Sequence, residues 1–157
     1  MIKIGEMIPK CTLRTMVDSQ VVQIDSEAIF AQKKVVLFGV PGAFTPGCTK
    51  THLPGYVDAF DAIRAQGFDT VACVSVNDAW VMHAWGESTG ATNKVLMLAD
   101  GSAAFARLLG LESDLSQVGM GLRCKRFSMV VTNGVVEQLN VDERYIETTS
   151  AAATCQL

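Results

Sequence analysis

Three short apolar runs, each followed by a segment with helical spacing, set the strongest limit on what this chain can fold into. They are Val35-Val36-Leu37-Phe38-Gly39-Val40, the stretch from Asp69 to Val76, and the stretch from Lys94 to Leu98. Apolar runs that do not alternate with polar residues suit strands covered on both faces, as in a parallel sheet with helical crossovers. The intervening segments supply those crossovers. Leu53, Val57, Phe60 and Ile63 recur at helical spacing within an expected helix from Cys48 to Gln66, which Pro54 should kink. Asp78 caps a second expected helix that runs to Glu87, and Ala103 to Leu109 reads as a third.

The ends of the pattern are antiparallel. Residues Cys11 to Val17 and Val21 to Ile24 flank Asp18-Ser19-Gln20 as a hairpin, followed by a short helical turn from Ser26 to Gln32. Arg126 to Val131 and Val135 to Val141 flank Thr132-Asn133-Gly134, whose Asn-Gly pair is a strong hairpin signal. Gly110 to Leu122 reads as loop, and Glu147 to Leu157 as a closing helix. A parallel core that ends in an antiparallel hairpin fits a thioredoxin-like α/β fold, a mixed sheet flanked by helices behind an N-terminal hairpin. Several doubly wound folds fit the same order.

At 157 residues, 49% apolar and 18% charged, the chain reads as one domain, residues 1–157, with enough apolar surface to bury a core. Sixteen acidic residues against thirteen basic leave a net charge of −3, so there is no basic footprint for nucleic acid or an anionic membrane. No apolar run approaches the ~18–20 residues of a membrane span. Met1 to Glu6 has no apolar stretch behind it of the kind a signal peptide needs. Five cysteines without a C-x-x-C pair then suggest reduced thiols and a cytoplasmic protein.

Among those thiols Cys48 stands apart. It follows a strand and a loop of turn formers, Pro41-Gly42-Ala43-Phe44-Thr45-Pro46-Gly47, and opens a helix. Unpaired N–H groups at such a helix start favour a thiolate. Cys73 lies inside an apolar strand, where burial favours the neutral thiol, and Cys11, Cys124 and Cys155 lack the setting of Cys48. Other readings of the loop fail. Gly42-x-x-x-x-Gly47-Cys48-Thr49 has the outline of a phosphate-binding loop but carries Cys48 where the lysine belongs. A phosphatase loop needs arginine at the position of Pro54. Cys48 and His52 share a helical face, but with only His83 besides they do not make a zinc site, so no metal or cofactor is expected. His52 is expected to orient a loop or a backbone carbonyl rather than act as a base.

The segment from Val36 to Tyr56, with its core Pro41-Gly42-Ala43-Phe44-Thr45-Pro46-Gly47-Cys48-Thr49 and His52-Leu53-Pro54-Gly55-Tyr56, closely resembles the peroxiredoxin active-site loop of the type II (atypical, fifth) subfamily. Cys73-Val74-Ser75-Val76-Asn77-Asp78, Val81-Met82-His83-Ala84-Trp85 and Lys125 to Val131 agree with the same family. The resemblance implies a thiol peroxidase on a thioredoxin fold. It implies that Cys48 is the peroxidatic nucleophile, that Thr45 offers its hydroxyl to sulfur and peroxide, and that Arg126 supplies fixed charge. Pro41 and Gly47 would form the substrate pocket together with the Cys48 N–H, and Pro46 would help to shield the sulfur.

The resemblance also sets expectations for the cycle. Hydrogen peroxide and alkyl hydroperoxides are the implied substrates. The sulfenic acid formed on Cys48 would be recycled by glutathione with glutaredoxin, or by thioredoxin. Cys73 matches the position proposed as resolving in plant-type relatives, whereas Glu143 to Thr149 replaces the stretch that holds the resolving cysteine in animal-type ones. Trp80, Trp85, Met82, Phe44 and Phe127 would be core residues or part of a homodimer interface. A redox sensor or binding protein on the same fold is the alternative, disfavoured by the intact Thr45, Cys48 and Arg126 set.

Thiolate supply alone does not make such an enzyme fast. An ordinary thiol with pKa ~8.5 is about 3% ionised at pH 7, and lowering the pKa to ~6 gains only about 30-fold. Rapid peroxide reduction therefore depends on stabilising the transition state.

Overall fold

The computed structural model describes residues 1–142 and places the three apolar runs side by side at the centre of a seven-stranded sheet. Strand β1 spans Thr12–Val17, β2 Gln20–Asp25, β3 Lys34–Val40, β4 Thr70–Ser75 and β5 Val95–Ala99. Further along come β6 Glu112–Leu115, β7 Gly121–Cys124, β8 Arg126–Thr132 and β9 Val135–Asp142. The sheet order is β2-β1-β5-β4-β3-β8-β9. β3, β4 and β5 run parallel, as their unbroken apolar character requires, and β8 pairs antiparallel with β3.

Alternate residues of the central strands feed two cores. Leu37, Ala72, Val74, Leu98, Phe127 and Met129 face one side, with Phe30 from helix α1 (Ser26–Phe30) and Phe105 and Leu109 from helix α5 (Ala104–Leu109). Val36, Phe38, Val40, Val71 and Cys73 face the other. There they meet Tyr56 of α2 (Leu53–Asp58), Ile63 of α3 (Phe60–Ala65), and Met82 and Trp85 of α4 (Ala79–Ser88). Cys48 belongs to this second core.

Both hairpins form as expected. Asp18 and Ser19, at φ 47° and 62°, and Asn133 and Gly134, at φ 48° and 79°, supply the paired positive φ values that two-residue turns between twisted strands demand. Asp78 caps α4 by accepting a hydrogen bond from the Val81 N–H at 2.9 Å.

Two expectations need correction. Residues 110–122 are not all loop: β6 and β7 form a two-stranded ribbon, with Glu112 opposite Cys124 and Leu115 opposite Gly121. Its strands are only four residues long, β6 alternates charged exposed with partly buried residues, and in β7 only Cys124 is fully buried, so no apolar run announces them. The helix expected from Cys48 to Gln66 is divided into a π-turn (Cys48–His52), α2 and α3, with Ala59 between the last two at φ −84° and ψ 0°. The closing helix expected from Glu147 to Leu157, and Cys155 with it, lies outside the described residues.

One backbone position on β3 leaves room for a buried ring of β8. Gly39 pairs with Phe127, and a Cβ on Gly39 would overlap the Phe127 ring and come within 2.7 Å of its Cζ. Overpacking of this kind costs ~1–3 kcal/mol, with larger values where backbone must move. Gly39→Ala is expected to lower the urea unfolding free energy by at least about 2 kcal/mol. A variant as stable as the parent would show that Phe127 is free to step aside.

Candidate active site

The loop that follows β3 is tied down before the helix begins. The Ala43 N–H donates to Asn77 Oδ1 at 3.0 Å, and the Ser75 hydroxyl donates to the same oxygen at 2.7 Å, so the end of β4 anchors the loop. The Cys124 thiol, at the end of β7, donates to the Val40 carbonyl at 3.0 Å. Pro41 is buried beside this anchor, whereas Pro46 and Phe44 are exposed. The Thr45 hydroxyl donates to the Gly42 carbonyl at 2.7 Å. Its hydrogen is thus directed into the loop, and its oxygen keeps lone pairs to accept a further hydrogen bond.

The π-turn has a local cause. Proline at 54 has no N–H, and in a regular α-helix its ring would collide with the carbonyl of Lys50. The wider turn relieves this, with the Leu53 N–H bonding back to the Cys48 carbonyl five residues earlier. Trp85 of α4 holds the turn from outside through its Nε1–H, which donates to Thr49 Oγ1 at 3.0 Å. In consequence Cys48 and His52 both point inward, each about 1% exposed.

Arg126 meets both of them. From the first position of β8 its Nη2 donates to Cys48 Sγ at 3.2 Å and its Nη1 donates to His52 Nδ1 at 2.8 Å. Its inner nitrogen, Nε, lies 3.9 Å from Asp142 Oδ2 on β9. The guanidinium is therefore held by hydrogen bonds at both outer nitrogens and faces a carboxylate at ion-pair distance from the inner one, and one of its nitrogens is aimed at the sulfur. The adjacency of β3 and β8 in the sheet is what brings together two residues 78 positions apart.

His52, expected to orient a loop or a backbone carbonyl, has instead the Arg126 side chain as the partner of its Nδ1. Because the arginine donates, Nδ1 must be an acceptor and the imidazole neutral, with its proton on Nε2. Burial, reinforced by the positive charge of Arg126, pushes the His52 pKa down to about 3. The ring sits 5.1 Å from the Phe38 ring and 5.6 Å from that of Tyr56, and those two stack at 3.9 Å. This aromatic cage supplies the dry surroundings.

Two further thiols are buried close by without touching the guanidinium fork. Cys73 is wholly buried in β4, between Phe38 of β3 and Met97 of β5, and burial raises its pKa well above the ordinary thiol value. Burial also raises Cys124 to about 12. Among the expected site residues, the structure brings Cys48 and Arg126 into contact and sets Thr45, Pro41 and Gly47 in the loop that leads to them. Reading the residues alone gave Asp142, Ser75 and Asn77 no part in the site. For Asp142 no sequence signal was available, because a bulge after Val130 shifts the hairpin register by one residue.

A family model for redoxins matches residues 3–155. The chain is 43% identical over 156 residues to peroxiredoxin-2E-2, chloroplastic, from Oryza sativa subsp. japonica, covering 96% of this chain and 69% of that protein. This chain belongs to the peroxiredoxins. It is likewise 40% identical over 152 residues to peroxiredoxin-2D of Arabidopsis thaliana, covering 96% of this chain and 94% of the relative. Reduced Prx3 in complex with hydrogen peroxide from Vibrio vulnificus superposes with a TM-score of 0.92 at 48% identity, over 98% of this chain and 96% of the other. This peroxiredoxin is thus a type II member with a thioredoxin-like fold and thiol peroxidase activity, which takes a hydroperoxide and a thiol reductant.

Neutral His52 makes the stability of this peroxiredoxin depend on pH. Below about pH 6.5 the unfolded chain binds a proton at this residue, and the folded chain does not until about pH 3. The unfolded state holds more protons across that window, so stability is complete above it and is lost as pH falls, by up to about 1.4 kcal/mol per pH unit. His52→Gln keeps an acceptor for Arg126 but cannot titrate. Urea unfolding of both reduced proteins between pH 6.5 and 4 should show a shallower decline for the variant, and parallel slopes would mean that His52 does not stay neutral.

Proposed function

We propose that Cys48 is the peroxidatic nucleophile of an enzyme that reduces hydrogen peroxide and alkyl hydroperoxides, with an external thiol completing the cycle. The observation that carries this reading is the Arg126 Nη2 to Cys48 Sγ contact at 3.2 Å, made by a guanidinium that is itself held in place. The thiolate attacks one peroxide oxygen, an S–O bond forms as the O–O bond breaks, and sulfur gives two electrons to the peroxide. The attacked oxygen keeps its hydrogen in the sulfenic acid, and the leaving oxygen takes one proton from solvent and departs as water or alcohol. Charge grows on that oxygen in the transition state, and fixed donors aimed there are worth far more than extra thiolate.

The residues divide the work by their hydrogen-bonding capacity. Arg126 donates to the sulfur and to the leaving oxygen, and the Gly47 and Cys48 N–H groups serve the peroxide from the helix start. Thr45, with its own hydrogen on Gly42, accepts the peroxide O–H and so orients the bond for attack. Pro41, buried at the loop entry, keeps water from the sulfur.

An external reductant, either glutathione with glutaredoxin or thioredoxin, suits the thiol inventory better than Cys73. Attack on the Cys48 sulfenic acid needs a thiolate within reach of its sulfur. Cys73 is locked in a central strand with its ionisation suppressed, so its use as the resolving residue would require that strand to open. Cys48 itself is about 1% exposed, so a bulky thiol reaches it through local opening of the π-turn. Exposed Phe44 and Trp80, at 54% and 66%, are the residues on which we place a homodimer contact. A cytoplasmic location belongs to the same reading.

Stopped-flow mixing of reduced protein with hydrogen peroxide tests the assignment. The fast tryptophan fluorescence phase should be absent in Cys48→Ser. Loss of one free thiol per chain after one equivalent of peroxide supports the external cycle, and loss of two would put an internal partner in its place. Arg126→Lys keeps charge but loses the planar fork, and its second-order rate constant should drop on the order of 10²-fold. Full activity in that variant would refute the role given to the guanidinium.

A further inference from the structure

Asp142 plays no part in the peroxide chemistry above, yet it lies against the residue on which that chemistry turns. Its carboxylate and the Arg126 side chain are about 1% and 2% exposed, 3.9 Å apart, and face each other as register partners across β8 and β9. Arg126 shows its inner nitrogen to this carboxylate and an outer nitrogen to Cys48 Sγ. The remaining terminal nitrogen is on a neutral imidazole, which contributes no charge.

The charge balance at this site changes during turnover. With Cys48 as thiolate, one buried cation stands between two anions. Attack on the peroxide forms the S–O bond, breaks the O–O bond and leaves a neutral sulfenic acid. A resolving thiol then forms an S–S bond as the S–O bond breaks, and hydroxide leaves with the thiol proton as water. Sulfur carries no charge in either product, and a second thiol must cleave the mixed disulfide before the Cys48 thiolate returns. A guanidinium out of water without an anion beside it is strongly disfavoured.

We propose that Asp142 is the standing counter-ion of Arg126. It holds the guanidinium in position through the half of the cycle in which Cys48 is uncharged, so the donor is already aimed when the thiolate reappears. Asp142 is in this sense a positioning residue. The proposal rests on the reading of Cys48 as the peroxidatic nucleophile. Its test is a stability measurement on protein that need not turn over, and the stopped-flow experiment decides separately whether Cys48 is the nucleophile, so the two failures are told apart.

Serine at position 48 is uncharged at all working pH values and stands in for the neutral sulfur states. Thermal midpoints are compared for reduced parent, Cys48→Ser, Asp142→Asn and the double variant, at pH 8. If the carboxylate is the standing counter-ion, Asp142→Asn costs at least about 4 °C more in the Cys48→Ser background than in the reduced parent. Asp142→Glu, which keeps the charge, should then recover most of that extra loss. Equal losses in the two backgrounds would mean an ordinary structural pair, indifferent to the state of the sulfur, and would overturn the proposal. Should Asp142→Asn fold in neither background, adding Arg126→Met removes the stranded cation. Recovery of folding supports the proposal, and failure to recover overturns it.

Discussion

The site is organised around one costly object, a guanidinium buried away from water. A charge in that position persists only if each face that water would have served is met by a protein group. Arg126 meets sulfur, imidazole and carboxylate, and each partner constrains the structure in turn. His52 must stay neutral to accept, and its aromatic cage excludes the water that would let it protonate. Cys48 and His52 must lie under one fork, and the π-turn sets them there. β8 must lie beside β3, and Gly39 leaves room there for the Phe127 ring.

Much of the scaffold could be read from hydrophobic pattern, because its signal is local. A strand buried on both faces appears as an unbroken apolar run, and a turn needing two positive φ values appears as Asn133-Gly134. The β6–β7 ribbon escaped because it is too polar and too short to produce either mark. The division of the long helix was only half visible. Pro54 announces a disturbance, but whether a chain answers proline with a kink, a break or a wider turn is decided by what packs around it. Here Trp85 bonding to Thr49 secures the wider turn.

The site was legible in proportion to how local its residues are. Cys48 could be picked out by its place after a strand and loop. Arg126, 78 positions away, has no such mark, and only the resemblance of its block to a known family assigned it a role. Asp142 was hidden by a single irregularity. Counting back from Val135 opposite Thr132 without interruption would set Val141 against Arg126 and leave the carboxylate one residue out. The bulge after Val130 adds the residue that shifts Asp142 into register. His52 carries a mark in the sequence but its partner does not, because a helix shows which residues share a face and not what will be packed against them.

The separation between sulfur and guanidinium also has a consequence for how the protein is made. The ribosome adds ~5–20 residues per second, so the 78 positions from Cys48 to Arg126 take several seconds or more to synthesise. Until then the nascent chain carries a cysteine with no guanidinium beside it and a central strand whose β8 side is open. The contact between guanidinium and sulfur forms only when the β8–β9 hairpin docks on β3, so this late pairing of strands is also the step that gives Cys48 its cationic neighbour.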